Sequence, residues 1–138
     1  RKHPNGVVLG GYSYVNGAGY QGWVLLVNSA GQQVWSQLQG GSSTDRFEDL
    51  VVLADGGVVA VGHTVVADQG YDGWLVQLSA AGKIQKQKTV GTAKSDGFYA
   101  ATASVDGHVI AAGYSAPVSG PVRGWMVKAN GELQTSCK

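Results

Sequence analysis

A glycine followed by tryptophan recurs three times at one fixed interval. Trp23, Trp74 and Trp125 lie 51 residues apart, in the phrases GYQGWVLLV, GYDGWLVQL and PVRGWMVKA. Other landmarks keep the same interval: Gly11, Gly62 and Gly113; Val7, Val58 and Val109; the pairs Gly40 and Gly91, Asp45 and Asp96, Phe47 and Phe98. A constant period without gaps describes one unit set side by side, each copy covering the apolar face of the next. Three units are expected, at about 1–43, 44–94 and 95–138, in a single domain. Near the end the register is expected to slip, since Gly131 falls two residues short of the place that Gly31 and Gly82 predict.

Each unit reads as four strands. In the middle copy they are Phe47 to Ala54, Val58 to Val65, Trp74 to Ser79 and Lys83 to Val90. β-Branched residues dominate and helical periodicity is absent. Asp55, Gly56 and Gly57 supply the positive φ of a tight hairpin turn between the first two. The first three strands are apolar at nearly every position, which requires cover on both faces. The fourth is polar, with Lys83, Lys86 and Lys88, as an outermost strand protected against pairing would be.

Of 138 residues, 22 are glycine and 14% are charged, a balance suited to a glycine-punctuated β protein. The net charge of +1 leaves no broad footprint for nucleic acid or an anionic membrane, and no apolar run is long enough to span a bilayer. Cys137 is the single cysteine, so an intrachain disulfide and a cysteine-based zinc site are excluded. A free thiol, an interchain bridge and a truncated pair stay open. The start at Arg1, without Met or a leader, is expected of a processed or excised piece.

The run DGGVVAVGHT, followed by YDGWLVQLSAAGK, VGT and DGF, resembles the β-propeller repeats of many secreted and surface proteins of bacteria and archaea. The resemblance extends from about Gly6 to Glu132. It implies an all-β, propeller-like array of four-stranded antiparallel blades, and a secreted, periplasmic or cell-surface location. Gln21 and Arg123 stand where an acid before Gly-Trp is expected, and only Asp72 keeps it. Three blades are too few for a ring, which takes roughly four to eight. Association of two chains, membership of a longer propeller, and a threefold β-trefoil or β-prism are the alternatives.

Segments Tyr12 to Gln21, His63 to Asp72 and Tyr114 to Arg123 read as long loops that vary between copies. They emerge on one rim with the links Gly40 to Asp45 and Gly91 to Asp96, which makes this rim the candidate binding surface. Tyr20, Gln21, Tyr71, Asp72 and Arg123 are the candidate ligand-binding residues, aromatic platforms flanked by hydrogen-bonding groups. Tyr12 and Tyr114 are expected to cap strands, and Asp45 and Asp96 to satisfy turn amides. The repeated tryptophans are expected to pack between units, while Trp35, whose counterpart is Lys86, is expected on an exposed edge.

No catalytic residue, metal site or cofactor is assigned. The histidines lack ligand spacing, and Glu48 with Asp49, or Asp45 with Asp49, reads as rim solvation rather than a catalytic pair. The Gly40 to Thr44 run lacks the lysine and helix of a phosphate loop. The expectation is a non-catalytic binding or assembly module whose partner is a protein, another copy of itself included. A carbohydrate-binding lectin and the non-catalytic propeller part of a larger secreted hydrolase or lyase are the other readings.

Overall fold

Twelve strands form three separate four-stranded antiparallel sheets, each a simple meander. A computed structural model describes residues 1–41, 43–67, 70–92 and 94–137, with the backbone alone for Cys137. Ser42 of the Gly40 to Thr44 run, residues 68 and 69, and the Cys137 side chain lie outside the described residues. The first sheet holds β1 (Lys2–His3), β2 (Gly6–Val15), β3 (Gly19–Val27) and β4 (Gln33–Gln39). The second holds β5 (Arg46–Val52), β6 (Val58–Val66), β7 (Gly70–Leu78) and β8 (Ile84–Val90). The third holds β9 (Asp96–Ala103), β10 (Val109–Ser115), β11 (Arg123–Ala129) and β12 (Thr135–Cys137).

The second sheet is covered on both faces. Val8, Val24 and Leu26 of the first sheet pack with Phe47, Leu50, Val58, Ala60, Trp74 and Val76. On the opposite face Val51, Val59, Val61 and Leu75 meet Phe98, Ala101, Val109, Ala111 and Val127 of the third. Alternation along the strands sends neighbours to opposite clusters. Two distinct cores in a row are what an array of blades requires. A trefoil or prism would enclose one core on a threefold axis, and these sheets do not.

The repeat extends to irregularities. β-Bulges skip Glu48 between Phe47 and Asp49, and break the register at Ala112/Gly113 opposite the counterpart residue Tyr99. The hairpin turn at Gly56 (φ 81°) is closed by Asp55, which accepts from the Gly57 amide at 2.8 Å. The expected slip near Gly131 does not occur. Leu133 takes the place of Gly31 and Gly82, with φ 53° against 76° and 75°. The Leu133 amide donates to Asn130 as the Gly82 amide does to Ser79. Leu133 tolerates a left-handed backbone because its side chain is buried between the second and third sheets.

Trp35 is not a free edge residue. Its indole lies on Gly82, where a Cβ would come within 2.5 Å of the ring, and its Nε1–H donates to the Ala80 carbonyl at 3.0 Å. One repeat later Lys86 donates from Nζ to the Gly131 carbonyl at 3.3 Å and pairs with Glu132 at 2.6 Å. The same pair of repeat positions therefore ties adjacent sheets together at both junctions, so Lys86 does more than protect an edge.

The first strands of the three sheets meet around Asp49. Arg1 donates from its guanidinium to both carboxylate oxygens, at 2.8 and 2.7 Å, and from Nε to the Leu50 carbonyl. The Ala101 amide of the third sheet donates to Asp49 at 2.9 Å. Asp49 is thus a clamp joining three sheets rather than a solvated rim acid. His3 is buried as well, its ring Nε2 lying 2.8 Å from the Gly56 carbonyl.

Candidate functional site

Two of the three expected loops are strand. The β2–β3 ladder runs out to Val15 opposite Gly19, and the β6–β7 ladder to Val66 opposite Gly70. The rim therefore carries two projecting ribbons, while the third copy keeps an irregular link between Ser115 and Arg123.

At the mouth of the first junction four side chains converge. Tyr14 and Tyr20 are directly paired across the ribbon, and Tyr20 meets the edges of Tyr12 (5.6 Å) and Tyr14 (5.4 Å). The Arg46 guanidinium of the next sheet lies over Tyr12 at 4.5 Å and near Tyr20 at 5.3 Å. Tyr14 is 64% exposed, so the cluster faces solvent. At the second junction His63 takes the position of Tyr12 and meets Tyr71 edge-on at 5.0 Å. Burial holds the His63 pKa below its usual value, with Arg46 adding to this and Glu48 and Asp45 opposing it. In the third sheet Tyr114 stacks on Tyr99 instead.

Gln21 and Asp72 point inward. The Gln21 amide donates to the Gly41 carbonyl at 2.7 Å and to Ala18 at 3.2 Å, fixing the link between the first two sheets. Asp72 occupies the equivalent place against Gly91, where a Cβ would meet its Oδ1 at 2.1 Å. A carboxylate cannot donate to a carbonyl, and Asp72 Oδ1 has no partner among the described residues. Burial, then the charge of Asp96, raises its pKa. Both residues lie against the links from within, and Gln21 alone is shown bonded to its link; of the five candidates Tyr20 and Arg123 are exposed and Tyr71 is half-buried.

Asp45 and Asp96 hold turn amides, as expected. Asp45 accepts from Gly41 N at 2.7 Å, from Val65 N at 3.3 Å and from the Thr64 hydroxyl. Asp96 accepts from the Thr92 amide at 2.6 Å and its hydroxyl at 2.9 Å. No protein-family model matches this chain, and neither does any curated protein. Among the described residues no cluster of three or more His, Cys, Asp or Glu converges, and no helix is long and apolar enough to cross a membrane.

Sequence reasoning missed Arg46 and a groove between the first two sheets. The groove has a volume of about 540 Å³ and runs between the first two sheets, lined by Gln39, Thr64, Val66, Gln87, Lys88 and Thr89 among others. Arg46 directly precedes the repeated Phe47, and its counterpart is Gly97, so the repeat itself gave no sign of it.

Proposed function

We propose that this chain is a non-catalytic binding and assembly module on a β-propeller-type array, taking a protein partner at the rim where Tyr12, Tyr14, Tyr20 and Arg46 meet. The exposed cluster of three tyrosines and one arginine carries the reading. Tyrosine and arginine dominate the energetics of protein interfaces, and tyrosine brings contact area at low entropic cost. A location outside the cytoplasm accords with the resemblance to secreted repeats.

The groove of about 540 Å³ favours a second reading, a lectin, because amides and hydroxyls line a volume suited to a sugar ring. Panning a random-peptide display library and probing a glycan array with the same purified chain separates the two. Peptide enrichment that disappears in Tyr20→Ala and Arg46→Ala is the expected result. Glycan binding lost in Gln39→Ala or Lys88→Ala would transfer the function to the groove. Silence on both would remove both readings.

A further inference from the structure

We infer that the junction between the second and third sheets binds a calcium ion through the carboxylates of Asp72 and Asp96. The site lies on the inner side of the link Gly91 to Asp96 and is independent of the rim partner proposed above.

The first junction shows what this place requires. Gln21 and Asp45, 8% and 1% exposed, both bear on Gly40, where a Cβ would lie 2.7 Å from Gln21 Oε1 and 2.5 Å from Asp45 Oδ2. The Gln21 amide donates to the Gly41 and Ala18 carbonyls. Asp45 Oδ2 accepts from the Gly41 amide, and Oδ1 from the Thr64 hydroxyl and the Val65 amide. Neither side chain leaves a buried polar atom without a partner.

One repeat later the donors are gone. Asp72 replaces Gln21 and lies over Gly91, while Asp96 keeps the place of Asp45, its Oδ2 on the Thr92 amide at 2.6 Å. The Ala116 amide, counterpart of Val65, donates to the Ser95 carbonyl at 3.1 Å instead of to Asp96. Asp72 Oδ1 and Asp96 Oδ1 are consequently both buried without a hydrogen-bond partner, on residues 8% and 0% exposed. No ion pair among the described residues includes either acid. Asp96 lies close enough for its charge to act on Asp72.

Two unpaired carboxylate oxygens in one buried place repel each other and forgo the hydration they had in the unfolded chain. A cation between them reverses both effects. Backbone carbonyls extend the donor set: those of Thr92 and Tyr71 are the counterparts of Gly41 and Tyr20, whose carbonyls receive Gln21 Nε2 at 2.7 and 3.4 Å. The cation thus stands in for the positive hydrogens of the amide. Oxygen donors alone suit a hard cation rather than zinc. Calcium accepts about six to eight oxygens, water included, in irregular geometry, where magnesium demands an octahedron. With only two carboxylates the affinity is expected at about 10⁻⁴ to 10⁻³ M.

Thermal unfolding of the full chain, stripped with a chelator and then given about 10 mM calcium chloride, tests this. The wild-type Tm is expected to rise by about 5 °C or more over that in sodium chloride of equal ionic strength. Asp72→Gln, which copies the first junction, is expected to lose this response while matching or exceeding the stripped wild type. Glu132→Gln, at an exposed acid, must keep the response. Calorimetric titration with calcium is expected to give one site per wild-type chain and none in Asp72→Gln. A wild type that responds no more to calcium than to sodium, as it would if a proton held the two acids together, overturns the inference. So does a response that survives in Asp72→Gln with a sheet spectrum. Should that variant lose its sheet spectrum, Asp72→Asn takes its place under the same two readings. Tyr20→Ala must leave the calcium response unchanged, so failure of rim binding and failure of the cation site are read separately.

Discussion

Phe47 lies flat against Trp74, ring centroids 4.7 Å apart and 16° from parallel, with Gly62 between them on the intervening strand. The outer face of the Phe47 ring rests on Gly22 of the first sheet. Phe98, Trp125, Gly113 and Gly73 repeat the arrangement, at 5.2 Å and 28°. The contact between sheets is therefore made by phenylalanine on glycine, and the tryptophan backs the phenylalanine within its own sheet. Trp74 is 3% exposed in the core between sheets, while Trp23, on an open face, is half-buried and donates to the Ser36 hydroxyl.

An alanine series across the three glycines should separate these roles. A Cβ on Gly22 or Gly73 meets a phenylalanine ring at 2.6 Å. Gly22→Ala and Gly73→Ala are expected to cost about 1–3 kcal/mol by overpacking. Gly124→Ala should leave the fold's stability within about 0.5 kcal/mol. Urea unfolding of all three gives the comparison.

Much of this was legible in the sequence. Period and turn chemistry located all twelve strands but the stub β1, and identified the polar outer edge. The extension of β2 past Tyr12 and the early start of β7 at Gly70 were hidden, because ribbon residues that project beyond a core carry no sustained apolar alternation. The burial of Gln21 and Asp72 was hidden too, since a polar residue beside a loop looks the same whether it holds a backbone carbonyl or faces solvent. Trp35 was misread for a related reason: its partner is a glycine, which leaves no side-chain signal.

Asp72 should make the fold less stable as pH rises. Its pKa is raised by burial and by Asp96, so the folded chain holds more protons than the unfolded one above the ordinary carboxylate range. Stability then falls as pH climbs from that range through the raised value. Asp72→Gln removes the buried charge and supplies an amide donor in the position where Gln21 serves Gly41. It is expected to stabilise the chain by about 1 kcal/mol at neutral pH and to flatten that limb of the profile.

Asp49 should act with the opposite sign. Burial alone would raise its pKa, yet hydrogen bonds from Arg1, Ala101 and Leu50, with the charge of Arg1, outweigh burial and lower it. Its contribution is complete above the usual carboxylate pKa and is lost as pH falls through the lowered value. Asp49→Asn is expected to cost about 2 kcal/mol at neutral pH and to remove this acid-side loss, readable in thermal unfolding across pH.

Leu133 sets a strained backbone against a buried side chain. Glycine would relieve about 1–2 kcal/mol of left-handed strain. It would also remove a leucine that is 3% exposed, at about 2–5 kcal/mol. Leu133→Gly is therefore expected to destabilise by about 1–3 kcal/mol, the difference of the two effects. A gain in stability would mean that the strain outweighs the packing.

Because glycine, phenylalanine and tryptophan stand at the same offsets in neighbouring units, any stretch of one full period can be gained or lost without creating a mismatched seam. Unequal recombination within such a gene would hand every surviving sheet a neighbour it already fits, whatever the breakpoint. The molecule's size is then a quantity that heredity can change in whole steps, while its rim ribbons diversify one by one.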